Sequence, residues 1–99
     1  MKIVAVTACP TGIAHTYMAA EQLEKTARAL GHHIKVETQG AMGIENELTE
    51  ADIRAAEAVI FATDLEVERR ERFAGLKIIE VPVQQAIKEP AGVISRAGM

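Results

Sequence analysis

The chain's 99 residues, 48% hydrophobic but only 3% aromatic, suffice for one domain whose core is built from Ala, Val, Ile and Leu, a composition that favours a buried parallel sheet packed by helices. The formal net charge is −3 with acids and bases interleaved, which excludes both a basic nucleic-acid stripe and an acidic tail. The longest apolar runs, Ile3 to Val6 and Ala58 to Ala62, fall far short of the roughly 20 residues of a membrane span, and Cys9 and Pro10 interrupt the first before it can serve as a signal peptide, so the cytoplasm is the expected location.

Ile3-Val4-Ala5-Val6 is a continuous apolar run rich in β-branched residues, the pattern of a strand buried on both faces. From Thr16 onward Ala20, Leu23, Ala27 and Leu30 recur at helical spacing, with Glu21, Glu24, Lys25 and Arg28 left for solvent, and Gly31 supplies the C-cap. Ile34, Val36 and Thr38 alternate with Lys35 and Glu37, which reads as a second strand at a sheet edge. Gln39 to Glu47, with Gly40, Gly43 and Asn46, reads as one long loop. A short helix to Glu57 then opens with Thr49 as N-cap, Asp52 in the capping-box position and Leu48 stapled to Ile53. Ala58 to Ala62 is the third strand, and Thr63-Asp64 after it either caps a helix or faces a site. Val67 to Phe73 is a charged helical turn, Leu76 to Val81 the fourth strand, and Ala86, Ile87, Val93 and Ile94 mark a last helix interrupted or restarted at Pro90.

Strands alternating with helices imply a single α/β domain over residues 1–99, a Rossmann-like four-stranded parallel sheet in the order 2-1-3-4 with helices on both faces. In that order the connections leave strand 1 in opposite directions and open a crevice at its carboxyl end. Cys9 sits there, the only cysteine, so no internal disulfide can form and the thiol is either a small core residue or a reactive group.

The segment Cys9-Pro10-Thr11-Gly12-Ile13-Ala14-His15-Thr16 joins the first strand to the first helix. Unpaired N–H groups and the dipole at a helix start favour negative charge, and a tight loop around Gly12 can turn further amides inward as an anion nest. Such a place binds phosphate and also makes a thiol acidic enough to act as a nucleophile. The spacing resembles, at a distance, the C-x5-R loop of cysteine phosphatases, but His15 stands where those proteins carry the arginine that clamps the phosphoryl oxygens. With no obvious acid to drive hydrolysis, the residues suggest a carrier that holds phosphate and passes it on.

Cys9 to Thr16, together with Glu37-Thr38-Gln39-Gly40 and Gly43-Ile44-Glu45-Asn46-Glu47-Leu48-Thr49, resembles the fructose-type enzyme IIB components of the bacterial phosphoenolpyruvate-dependent sugar phosphotransferase system (PTS), from Met1 to about Val83. The resemblance implies that Cys9 is phosphorylated by a phosphohistidine on enzyme IIA and donates to a sugar, fructose or a similar one, bound by membrane enzyme IIC. It implies that Pro10, Thr11, Gly12, Ile13, Ala14 and His15 cradle the phosphate and that Thr16 adds a hydroxyl. Ala41 departs from it, standing where the family often has serine. No cofactor, metal, nucleic acid or direct membrane insertion is expected; adjacent His32 and His33 point to opposite faces of a strand and make a poor metal pair.

His15 is either an exposed helix residue or a group that tunes the thiolate. Asp64 and the run Glu66 to Arg72 either lie beside the crevice or form a solvated face. Gly40-Ala41-Met42-Gly43 fits the GXXG of an RNA-binding loop, a short pattern that an acidic chain poor in aromatics does not support. Met42, Ile44 and Ile13 are apolar residues that could meet a partner or pack inward. Two other functions are compatible with a lone cysteine here, a small cysteine phosphatase and a noncatalytic redox-sensing thiol, the latter needing a resolving cysteine from elsewhere.

Overall fold

The computed structural model describes residues 1–10 and 14–98. In chain order its elements are β1 (Lys2–Ala8), α1 (Ala14–Ala29), β2 (His33–Gly40), β3 (Gly43–Glu45), α2 (Glu50–Ala55), β4 (Ala58–Thr63), a 3-10 turn (Arg70–Phe73), β5 (Lys77–Val81), α3 (Val83–Lys88) and α4 (Pro90–Ala97). One sheet runs β3-β2-β1-β4-β5, with β2, β1, β4 and β5 parallel. The expected order of the four parallel strands is therefore observed, inside a sheet of five.

The additional strand replaces the long loop expected after β2. Gly40 pairs with Gly43 across a turn at Ala41 and Met42, and β3 returns antiparallel with Ile44 opposite Gln39 and Glu45 opposite Thr38. Gly43, at φ 87°, supplies the positive dihedral that follows the turn, a conformation glycine adopts without penalty. Three residues are too few to show an alternating pattern, which is why the strand does not announce itself in the sequence. Its presence moves the sheet edge from β2 to β3. β2 is an inner strand, and Glu37, expected to face outward, is fully buried.

Alternation along the inner strands builds two cores. Ile3, Ala5 and Cys9 point with Ile60 to the face covered by α1, α3 and α4, where Leu23, Val83, Ala86, Val93 and Ile94 meet them. Val4, Val6, Val59 and Phe61 point to the opposite face, covered by Leu48, Val67 and Phe73 from the chain around α2 and the 3-10 turn. Phe61 and Phe73 pack edge to face there, their ring centroids 5.3 Å apart. Burial on both faces is the reason these strands read as unbroken apolar runs.

The local signals hold at most boundaries. Thr49 and Asp52 form the reciprocal capping box, and Leu48 and Ile53 share a cluster as the staple requires. The final helix does restart at Pro90, which opens α4. The charged segment is the exception. Arg69 adopts a left-handed φ of 58°, so only Arg70–Phe73 forms a single 3-10 turn in place of a helical stretch from Val67.

Candidate functional site

β1 is the central strand of the five-stranded sheet, and the chain leaves it at the point where its neighbours β2 and β4 send their own connections in opposite directions. Cys9 is the next residue. Its side chain is only 4% exposed, yet it borders an open cleft of about 320 Å³ together with Ala8, Pro10, Gln39, Gly40, Ala41, Gly43, Leu65, Glu66 and Glu68. The thiol thus lies at the floor of a depression roofed by the β2–β3 hairpin on one side and by the chain after β4 on the other.

α1 begins at Ala14, two residues before the expected Thr16, so Ala14, His15 and Thr16 make its first turn. Thr16 is fully buried and its Oγ1 lies 3.1 Å from Cys9 Sγ. The Thr7 hydroxyl, on the same face of β1, donates to the Thr16 carbonyl at 3.0 Å and ties this turn to the strand. Helix start and thiol are therefore brought together as expected. Pro10 is exposed on the cleft wall, and Ala14 and His15 are exposed on the helix. Thr11, Gly12 and Ile13, also expected in the phosphate cradle, lie outside the described residues.

The residues read two ways in the sequence divide. Asp64 has a structural role, its amide donating to the Ala8 carbonyl at 2.9 Å and its carboxylate accepting the Val83 amide at 3.2 Å. Glu66 and Glu68 do lie on the cleft, whereas Arg69 and Arg70 are exposed and pair with Glu47 and Glu80. Met42 is 75% exposed at the hairpin turn, and Ile44 beside it is half-buried. His32 Nδ1 contacts the Met1 amine and His33 is exposed at the start of β2, away from the cleft.

A buried polar network beneath the cleft has no counterpart in the sequence reading. Arg72 donates to both oxygens of Glu37, at 2.8 and 2.9 Å, and the Leu48 amide donates to Glu37 at 2.9 Å. Gln39 Nε2 donates to Glu37 at 2.7 Å and to the Glu68 carbonyl at 3.2 Å, while its Oε1 accepts the Glu68 amide at 2.8 Å. Burial pushes the Glu37 carboxyl up, but the hydrogen bonds from Arg72, Leu48 and Gln39 outweigh it and hold the group below its ordinary value. Glu37 and Gln39 share one strand face, a spacing visible in the sequence. Their partner Arg72, separated by 35 positions from Glu37, gives no such sign.

The family model "PTS system, Lactose/Cellobiose specific IIB subunit" matches residues 4–96. The chain belongs to the IIB family of the sugar phosphotransferase system. As a IIB chain it is a phosphoryl-transfer component of that system, and its relatives agree. It is 52% identical to a "PTS system fructose-like EIIB component 2" of Escherichia coli (strain K12), covering 96% of this chain and 90% of the relative. It is also 52% identical to part of a "PTS system fructose-specific EIIABC component" of Bacillus subtilis (strain 168), over 97% of this chain but 15% of that much longer protein. A domain of a fructose-specific IIABC component from Borrelia burgdorferi has the same fold, with a TM-score of 0.92 at 46% identity, covering 96% of this chain and 90% of that domain. Among the described residues no helix of this IIB chain is long and apolar enough to cross a membrane.

Proposed function

We propose that Cys9 is the phosphoryl carrier of this IIB chain, taking the group from a phosphohistidine on enzyme IIA and giving it to a sugar held by membrane enzyme IIC. The observation that carries the reading is the thiol's place, beside an open cleft and 3.1 Å from the Thr16 hydroxyl at the start of α1. With sulfur as thiolate, Thr16 must be the donor, and its O–H joins the helix dipole in favouring the anion. That thiolate attacks phosphorus in line. The S–P bond forms as the N–P bond breaks, and the departing imidazole nitrogen takes a proton from solvent, matching the one the thiol released when it ionised. A sugar hydroxyl then attacks phosphorus and gives up its proton to solvent as the O–P bond forms, the S–P bond breaks and the thiolate is restored.

By the family resemblance, the chain from Pro10 to His15 receives the phosphoryl oxygens. The relatives' names point to fructose or a similar sugar as the final acceptor. Exposed Met42, beside the cleft, offers an apolar rim on which a protein donor can seat.

The test is mass spectrometry of the chain after incubation with phosphorylated enzyme IIA. One phosphoryl group on Cys9 is expected, absent from Cys9→Ser, with label reaching sugar only when enzyme IIC is added. Phosphate on His15, or undiminished labelling of Cys9→Ser, would overturn the assignment. Steady release of phosphate from an aryl phosphate by the isolated chain would point to a phosphatase instead.

A further inference from the structure

The chain from Asp64 to Glu68 leaves the end of β4 and reaches the flank of β2. Since β1 lies between those strands, this segment passes over the C-terminal end of β1, where Cys9 stands. It is fastened at both ends. Asp64 is held by the Ala8 carbonyl and the Val83 amide, and Glu68 by the Gln39 side chain, which grips both the N–H and the C=O of its peptide. Between the anchors, Leu65 and Glu66 line the cleft that Cys9 borders.

A primary amide can usually turn over with little penalty, exchanging its oxygen and nitrogen. Here it cannot. An ionised Glu37 only accepts hydrogen bonds, so Gln39 must turn its NH2 toward that carboxylate and its oxygen toward the Glu68 amide. Glu37 stays ionised because Arg72 meets it with two hydrogen bonds, and Arg72 Nη2 also donates to the Glu68 carbonyl at 3.2 Å. The charge pair thus orients the amide, and the amide holds the segment.

We propose that Gln39 is a positioning residue for Cys9. Through it the buried Glu37–Arg72 pair keeps the 64–68 segment across the thiol's cleft and presents the sulfur in a single orientation. The inference rests on reading Cys9 as the carrier, but the position of the thiol can be measured without phosphoryl transfer.

The decisive variant is Gln39→Met, which keeps the length of the side chain and removes its hydrogen bonds. In this variant the Glu68 amide should exchange with solvent at least about tenfold faster, the scale of two lost hydrogen bonds, while the amides of β1 and β4 keep their protection. Iodoacetamide should alkylate Cys9 several-fold faster, and kcat for transfer from phosphorylated enzyme IIA should fall about tenfold as the thiol loses its aim. A thiol that is easier to reach but a poorer acceptor is the signature of lost positioning, provided the inner strands stay protected. Glu66→Gly, at an exposed site between the anchors, loosens the same segment without touching the network and should move both rates in the same directions. Wild-type alkylation and transfer rates in either folded variant would overturn the proposal. Failure of wild type to be phosphorylated on Cys9 would instead overturn the carrier assignment, leaving the exchange and alkylation results to judge Gln39.

Discussion

Glu37 is a carboxylate with no exposed surface, and its ionisation depends on a few neighbours. Arg72 supplies a bidentate ion pair, and Leu48 and Gln39 fill the remaining lone pairs. Removing one partner from such a pair leaves a buried charge, so Arg72→Met should lower stability in urea titrations by about 3–5 kcal/mol. The double variant Glu37→Met/Arg72→Met should recover much of that loss; equal losses in the two would show that the charge is not what the arginine balances. At this scale the place of Cys9 beside a helix start was legible, because the apolar run before it and the helical spacing after it are both local patterns. That Thr16 brings a hydroxyl to Cys9 was implied by the family resemblance. The burial of Glu37 was not legible, since an alternating strand pattern assigns a charged residue to solvent unless the partner that covers it is known.

The β2–β3 hairpin is the element the sequence concealed, and it lines the cleft with Gly40, Ala41 and Gly43. Its turn depends on the left-handed Gly43, where an added Cβ meets nothing within 4 Å but must adopt a φ of 87°. Gly43→Ala should therefore cost about 1–2 kcal/mol through backbone strain, with no steric contribution. Chemical denaturation measures the loss, and an unchanged midpoint would mean that the turn relaxes without strain. α2 presents the opposite case. Its capping box was readable because every participant lies within three residues. The hairpin escaped notice, and the charged segment was read as a helical turn from Val67 where only Arg70–Phe73 turns, because both conformations are set by what they pack against and short polar stretches carry little intrinsic preference.

Among the described residues, three carboxylates are held below their ordinary values. Asp52 is lowered to about 2 by hydrogen bonds from Lys35 and Thr49, Glu80 is lowered by its hydrogen bond from Arg70, and Glu37 is lowered against its burial. Each binds protons less readily folded than unfolded. Their contribution is thus fully present above the unfolded values of 3.8 and 4.5, and is lost as pH falls through the folded ones. The melting temperature should decline from about pH 4.5 toward about pH 2, mostly through Glu37, because solvent screens the more exposed Asp52 and Glu80. Thermal melts across that range check it, and a flat profile would contradict the linkage. The parallel strands, their order, the two-sided burial and the place of Cys9 at the head of α1 all follow from the chain by itself, since apolar periodicity and local turn chemistry act between near neighbours. Only the tertiary structure decided that β2 is an inner strand, that Arg72 reaches Glu37, and that the chain after β4 crosses over Cys9. Those are contacts between distant segments, and hydrogen bonds between distant polar groups leave no periodic trace in the order of residues.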